Sequence, residues 1–182
     1  MMRTHKPLSW AGFTLVEILI VVLVLAIAAA IVIPNIGSAN DSQATAAAAI
    51  LQSDLEVARS MAMATQVPHS VVFSPDSPDK KRSYKVVRAY IAGTPYESAL
   101  APAVCHPVNK GKLYEVRLWD LQGMSHVKVT SVSFGGSPPY VTFLSLGQPI
   151  AGGSVDLTVG QITITVSVEA LTGIVSVTHA GA

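Results

Sequence analysis

The chain has 182 residues, of which half are apolar and only 13% are charged, with a formal net charge of +1. That length suits one domain plus an appendage and excludes two full cores. A balance so near zero points to no nucleic-acid or acidic partner. So few charges are low for a soluble domain, and the apolar surplus has to be located.

Taken in chain order, residues 1–12 are polar and basic, with Arg3 and Lys6 on either side of His5. Residues 13–33 then read FTLVEILIVVLVLAIAAAIVI, where only Thr14 and Glu17 are not apolar. As a helix this run reaches roughly 30 Å, the hydrocarbon thickness of a bilayer. A secretory signal has a shorter apolar region, about 7–15 residues, ending at small residues before its cut. Here Pro34-Asn35 follows without such a site, so the run reads as an uncleaved transmembrane helix. Arg3 and Lys6 precede it, and residues 35–45 contain no Lys or Arg. The positive-inside bias therefore places the N-terminus in the cytoplasm and the body outside, in a single-pass topology.

Residues 34–67 continue as a stalk helix that turns amphipathic. Ala44, Ala48, Leu51, Leu55, Ala58 and Ala62 recur at spacings of three and four, which aligns them on one face. Asp54, Glu56, Arg59 and Gln66 lie off that stripe, and Glu56 and Arg59 can pair at i, i+3. The pattern predicts one helix over 13–67, about 80 Å long. Pro34 bends it by removing a backbone donor and crowding the preceding turn, Gly37 softens the same place, and Pro68 ends it.

Beyond Pro68 the period changes from helical to alternating. Strands are predicted at 69–74, 83–91, 113–119, 126–134, 140–146, 154–159, 161–168 and 173–178, separated by Pro, Gly, Asp and Ser clusters. Residues 92–112 form an irregular excursion. After Lys128 only Asp156 and Glu169 are charged, so that half is mostly core sheet or partner-facing surface. The fold class is α+β: a long N-terminal helix packed on an antiparallel β head over 68–182. Cys105 is the only cysteine, so packing alone must hold this head, and the thiol reads as free and partly buried.

The informative chemistry lies at Gly12-Phe13-Thr14-Leu15-Val16-Glu17, where the apolar run begins. A carboxylate within a lipid-facing segment costs roughly 2.5–3.5 kcal/mol at the centre and less near the interface. Such an acid marks a function and calls for a partner.

The stretch GFTLVEILIVVLVLAIAAAIVIPNI resembles the class III signal and N-terminal helix of type IV pilins and pseudopilins. Gly12, Phe13, Glu17 and Pro34 carry the match. The resemblance implies a leader peptide over residues 1–12 and cleavage between Gly12 and Phe13 by a prepilin peptidase, which N-methylates Phe13. The new α-amino group of Phe13 is then the partner that Glu17 needs. In a filament, Glu17 of one subunit meets the amine of a neighbour, and low dielectric strengthens the attraction and fixes axial register. Of the 12 basic groups, Arg3 and Lys6 leave with residues 1–12, so 10 remain against 11 acidic groups.

A second resemblance narrows the type. LQSDLEVARSMAMATQVPHSVVF (51–73) is similar to the helix-to-first-strand segment of the GspH/FimT-like pseudopilins. VTFLSLGQPIAGG (141–153) and ITITVSVEALTGIVSV (162–177) resemble their closing strands, with an F-x-x-x-G turn and a G-x-V-x-V strand. Residues 75–140 match no quoted pattern. The clustered acids of the major pseudopilin's Ca²⁺ loop are missing after Glu169, and Cys105 cannot form the pilin-like disulfide. The resemblance thus implies a minor pseudopilin (pseudopilin H of type II secretion), a structural subunit of a periplasmic pseudopilus made at the bacterial inner membrane. Its implied partners are other pseudopilins or pilins, the prepilin peptidase and the inner-membrane assembly platform.

Two other readings compete. For an enzyme, His69, His106, His126 and His179 show no metal-ligand spacing, and no phosphate loop or nucleophile elbow occurs. Asp120, Asp156 and Glu169 read as turn or edge residues, and no cofactor or metal is implied. A minor type IV pilin of the FimT type, serving pilus assembly or DNA uptake, is the sharper rival. Lys80, Lys81 and Arg82, with Lys85 and Arg88 beside Tyr84 and Tyr90, can form a phosphate-binding patch. Asp76 and Asp79 sit beside it, which favours a solvated hairpin. No Lys or Arg follows Lys128, where a basic DNA-binding tail would lie by resemblance.

Overall fold

A computed structural model describes residues 13–32, 35–75, 82–88, 103–135 and 139–179. Gly12, Pro34, Lys80 and Lys81 lie outside them, as does most of the 92–112 excursion. The chain divides into two units, Met1–Ser38 and Ala39–Ala182.

The first unit holds helix α1, Leu15–Val32. Thr14 starts it: its Oγ1 accepts from the Glu17 backbone N–H at 3.2 Å, satisfying one of the first-turn donors. Every described side chain from Phe13 to Ala29 is exposed. The 18 residues rise about 27 Å, short of the about 30 Å hydrocarbon layer. Among the described residues no helix is long and apolar enough to cross a membrane. The predicted helix over 13–67 is thus described as two, because α2 begins at Asn35 and ends at Thr65.

Within the second unit α2 buries the predicted stripe completely. Ala44, Ala48, Leu51, Leu55, Ala58 and Ala62 are all inaccessible to solvent, as is Ala47. Five of these seven are alanine, so the helix backbone lies close to the sheets. The helix stops ahead of Pro68. Gln66 adopts a left-handed φ of 56°, and its Nε2 donates to the Met63 carbonyl at 2.7 Å. That is a helix C-cap built on a non-glycine residue.

All eight predicted strands form, but they make two sheets and not one. The first has the order β3-β2-β1-β5, with β1 at His69–Pro75, β2 at Arg82–Arg88, β3 at Glu115–Val116 and β5 at Tyr140–Phe143. The second has the order β4-β6-β7-β8, with β4 at Lys128–Val132, β6 at Gly153–Val159, β7 at Ile162–Val168 and β8 at Val175–His179. Neighbouring strands are antiparallel throughout. Strand β4 leaves the first sheet's sequence order to pair with β6, with a bulge between Val129 and Ser131. Strand β3 is shorter than predicted because a 3₁₀ turn at Leu118–Asp120 ends the extended run.

One apolar cluster joins α2 to both sheets. The first sheet contributes Val71, Phe73, Tyr84, Val86, Val141 and Phe143. The second contributes Val129, Val155, Leu157, Val159, Ile164 and Val166. Phe134, just after β4, stacks on Phe73 at 5.9 Å and ties the sheets together. A side chain at Gly153 would run into that Phe134 ring. The second sheet's other face carries cross-strand hydroxyl pairs, Thr130–Thr158 at 2.9 Å and Ser167–Ser176 at 2.9 Å. This accounts for the near absence of charge after Lys128: one face is core and the other is neutral hydroxyl.

Candidate assembly site and its surroundings

Phe13 precedes α1 and is 76% exposed, and Glu17 stands exposed in the helix's first turn. Both are therefore open to a second molecule. Around Glu17 every described neighbour on α1 is apolar and exposed, from Leu15 through Ile27. The arrangement is a single carboxylate on an otherwise apolar rod. Chemically it can accept hydrogen bonds or pair with a cation, and none is supplied by the described part of its own unit.

In the second unit, a group of side chains that the sequence pattern set aside is brought together around Asp54. Its Oδ2 accepts from the Tyr84 hydroxyl at 2.5 Å, and its Oδ1 accepts from the Tyr114 hydroxyl at 2.7 Å. Tyr84 comes from β2 and Tyr114 from the segment before β3, so one carboxylate joins α2 to two other elements. Burial pushes the Asp54 carboxyl above its ordinary range, against the lowering by both hydroxyls and by His106. The same burial, with Asp54 alongside, pushes both tyrosines up. Sequence reasoning missed this site because a polar residue beside an apolar stripe looks solvent-facing. The signal available was its place seven residues after Ala47, on the flank of the buried face.

Arg59 also differs from expectation. Its Nε donates to the Gly147 carbonyl at 2.9 Å, while Glu56 accepts from Gln52 at 3.3 Å. The predicted Glu56–Arg59 pair is not among the described ion pairs. Gly147 and Gly173, the glycines of the two closing-strand motifs, meet at this point. Gly147 has φ 84°, and a methyl there would sit 2.7 Å from Met63 Sδ and 3.1 Å from Arg59 Nε. Gly173 has φ 69°, and a methyl there would meet the Gly147 carbonyl at 2.6 Å. Both motifs therefore have a physical reason: two turns pack against α2 with no room for a side chain.

The remaining sequence candidates do not converge. Arg82 opens β2, and strand alternation puts Lys85 and Arg88 on opposite faces. His69 is buried with its Nδ1 2.7 Å from the Val67 carbonyl, and burial holds it below the ordinary histidine range. Asp156 accepts from Thr165 across β6 and β7 at 2.8 Å, and Glu169 accepts from Thr172 within the β7–β8 turn at 2.6 Å. Cys105 is exposed, not partly buried as predicted, because it lies on a hairpin at the sheet's edge. Among the described residues no group of three or more His, Cys, Asp or Glu side chains could hold a metal ion.

No protein-family model and no curated protein matches the chain. Its structure is similar to that of the minor pseudopilin EpsH from the Type 2 Secretion System of Vibrio cholerae. The TM-score is 0.53 at 12% identity, over 77% of this chain and 99% of that one. A type IV minor pilin, FimU of Pseudomonas aeruginosa, aligns with TM-score 0.47 at 14% identity, over 76% of this chain and 90% of that one. The first likeness establishes the fold: an N-terminal helix on an antiparallel head, α+β and pilin-like.

Proposed function

We propose that this chain is a minor pseudopilin, a structural subunit of a type II secretion pseudopilus, made as a precursor and processed between Gly12 and Phe13. The supporting observation is the coincidence on one chain of a pilin-like head with an exposed apolar helix that starts two residues after Phe13 and carries Glu17. In this reading residues 13–33 anchor the precursor in the bacterial inner membrane, N-terminus inside and head in the periplasm. Prepilin peptidase cuts after Gly12 and methylates Phe13. The charged amine so made is the partner that Glu17 requires, and in low dielectric that pairing sets the register of each incoming subunit. Other pseudopilins and the inner-membrane assembly platform complete the list of partners. The subunit itself is not an enzyme.

The experiment is to express the full chain with a prepilin peptidase and weigh the product. A Phe13 N-terminus carrying one added methyl group is expected, and Gly12→Ala should leave the precursor uncut; normal processing of that variant would sink the proposal. Glu17→Ala should still insert but fail to join a filament. Unchanged assembly would remove the charge-pairing role while leaving processing intact. The DNA-uptake alternative gains nothing from β2, where Lys85 and Arg88 diverge.

A further inference from the structure

Residues 103–114 fold back on themselves along the β3 side of β2, past the end of that short strand. Ala103 bridges Val87, Val104 N–H donates to the Val86 carbonyl at 2.8 Å, and Val86 N–H donates to the Tyr114 carbonyl at 3.0 Å. Tyr114 N–H returns to Val104 at 2.7 Å, and His106 N–H to Lys112 at 2.9 Å. The base of this hairpin is therefore held twice, by backbone pairing to β2 and by the Tyr114–Asp54 hydrogen bond to α2.

Its tip is held differently. His106 Nδ1 accepts from the backbone N–H groups of Val108 at 3.1 Å and Asn109 at 3.2 Å. An imidazole nitrogen can accept only through its lone pair, which is where an added proton goes. With Nδ1 accepting, the neutral ring carries its hydrogen on Nε2. The ring is tilted against Tyr114, with centroids 4.4 Å apart. Beyond Tyr114 lies Asp54, close enough for attraction between it and His106 to be felt at the carboxylate. The same ring lines a groove of about 510 Å³ together with Lys112, Glu115, Arg117 and Asp120.

We propose that His106 is a proton switch in the tip of this hairpin: protonation of its Nδ1 releases the Val108 and Asn109 amides and opens residues 107–111, while the His106–Lys112 backbone pair and the Asp54–Tyr84–Tyr114 anchor keep the base in place. The charged groups around the ring are of both signs: Asp54 lies on α2, and Lys112, Glu115, Arg117 and Asp120 line the groove, with Arg117 paired to Glu115 at 3.3 Å. Tyr84 and Tyr114 stay neutral and transmit no charge. Opening gives the groove wall a further cation and frees two backbone donors, so the acid form of this surface favours anionic groups. As a class, imidazoles change charge between about pH 5 and 8.

The test is a pH titration of the full chain in detergent micelles, followed by NMR. The Val108 and Asn109 amide protons are expected to move upfield with the same midpoint as the His106 ring, while Val104 and Tyr114 amides stay fixed. His106→Asn supplies an acceptor that does not titrate, so both amide shifts should become independent of pH. Amides that ignore the ring's titration in the wild-type chain overturn the proposal, as does an unchanged pH response in His106→Asn. Joint movement of Val104 and Tyr114 with the tip would overturn the anchored base and make the whole hairpin the mobile unit.

Discussion

Helix α1 places apolar residues on every side, whereas α2 confines them to a stripe of alanine and leucine. Both have the same backbone, yet only α2 has been given something to pack on within the described structure. In α1, Leu and Ile side chains stay about half or more exposed. In α2, five alanines and two leucines vanish into the core. The difference teaches that hydrophobicity by itself does not fold a helix onto a domain; the arrangement of apolar residues around it does. An all-round apolar surface is one that lipid or neighbouring subunits can cover, and a narrow stripe is one a sheet can cover.

Several substitutions would break or sharpen that contrast. Leu55→Ala, in the stripe, should lower the head's unfolding free energy by about 2–5 kcal/mol in urea titrations, through lost contacts and a cavity. Asp54→Ala comes next, at about 1–3 kcal/mol, because the buried Tyr84 hydroxyl would lose its acceptor. The charge on Asp54 has its own signature. Burial raises its folded pKa, so the stability it contributes is fully present below the ordinary carboxylate value of 3.8 and declines as pH rises through the folded pKa. Unfolding measured across that window should show the decline, and Asp54→Asn should abolish it. Gly147→Ala should cost about 1–2 kcal/mol for the left-handed backbone alone, before any crowding of Met63. Leu23→Ala, in α1, should leave head unfolding within about 0.5 kcal/mol of wild type. If Leu23→Ala were as damaging as Leu55→Ala, the contrast between the helices would be wrong.

The period of apolar residues is enough to find every strand and all of the buried stripe except Ala47. Alternation in 154–159 and 161–168, for example, matches a burial pattern in which Val155, Leu157, Val159, Ile164, Val166 and Val168 all face the core. What alternation cannot encode is which sheet a strand joins. β4 and β5 are similar short β-branched runs, yet β4 pairs with β6 and β5 returns to β1. Register across distant strands depends on side-chain fit that no local window contains. Asp54 was hidden for the same reason, since its partners lie 30 and 60 residues away. At α1 the placement of Glu17 is legible because it is local: an acid in the first turn of an apolar run.

The pairing of His69 with Phe143 places the two neighbours of β1 at very different distances along the chain. β2 is made soon after β1, but β5 follows about 65 residues later, which at 5–20 residues per second is roughly 3–13 s of synthesis. Throughout that interval one edge of a strand rich in Val71, Val72 and Phe73 has no native cover. Unpaired edges of this composition invite the wrong neighbour. The second sheet faces no such wait, since β6, β7 and β8 follow one another as a meander. The vulnerable period in the life of this molecule is therefore set by strand order, and it ends when Tyr140–Phe143 arrives to close the sheet.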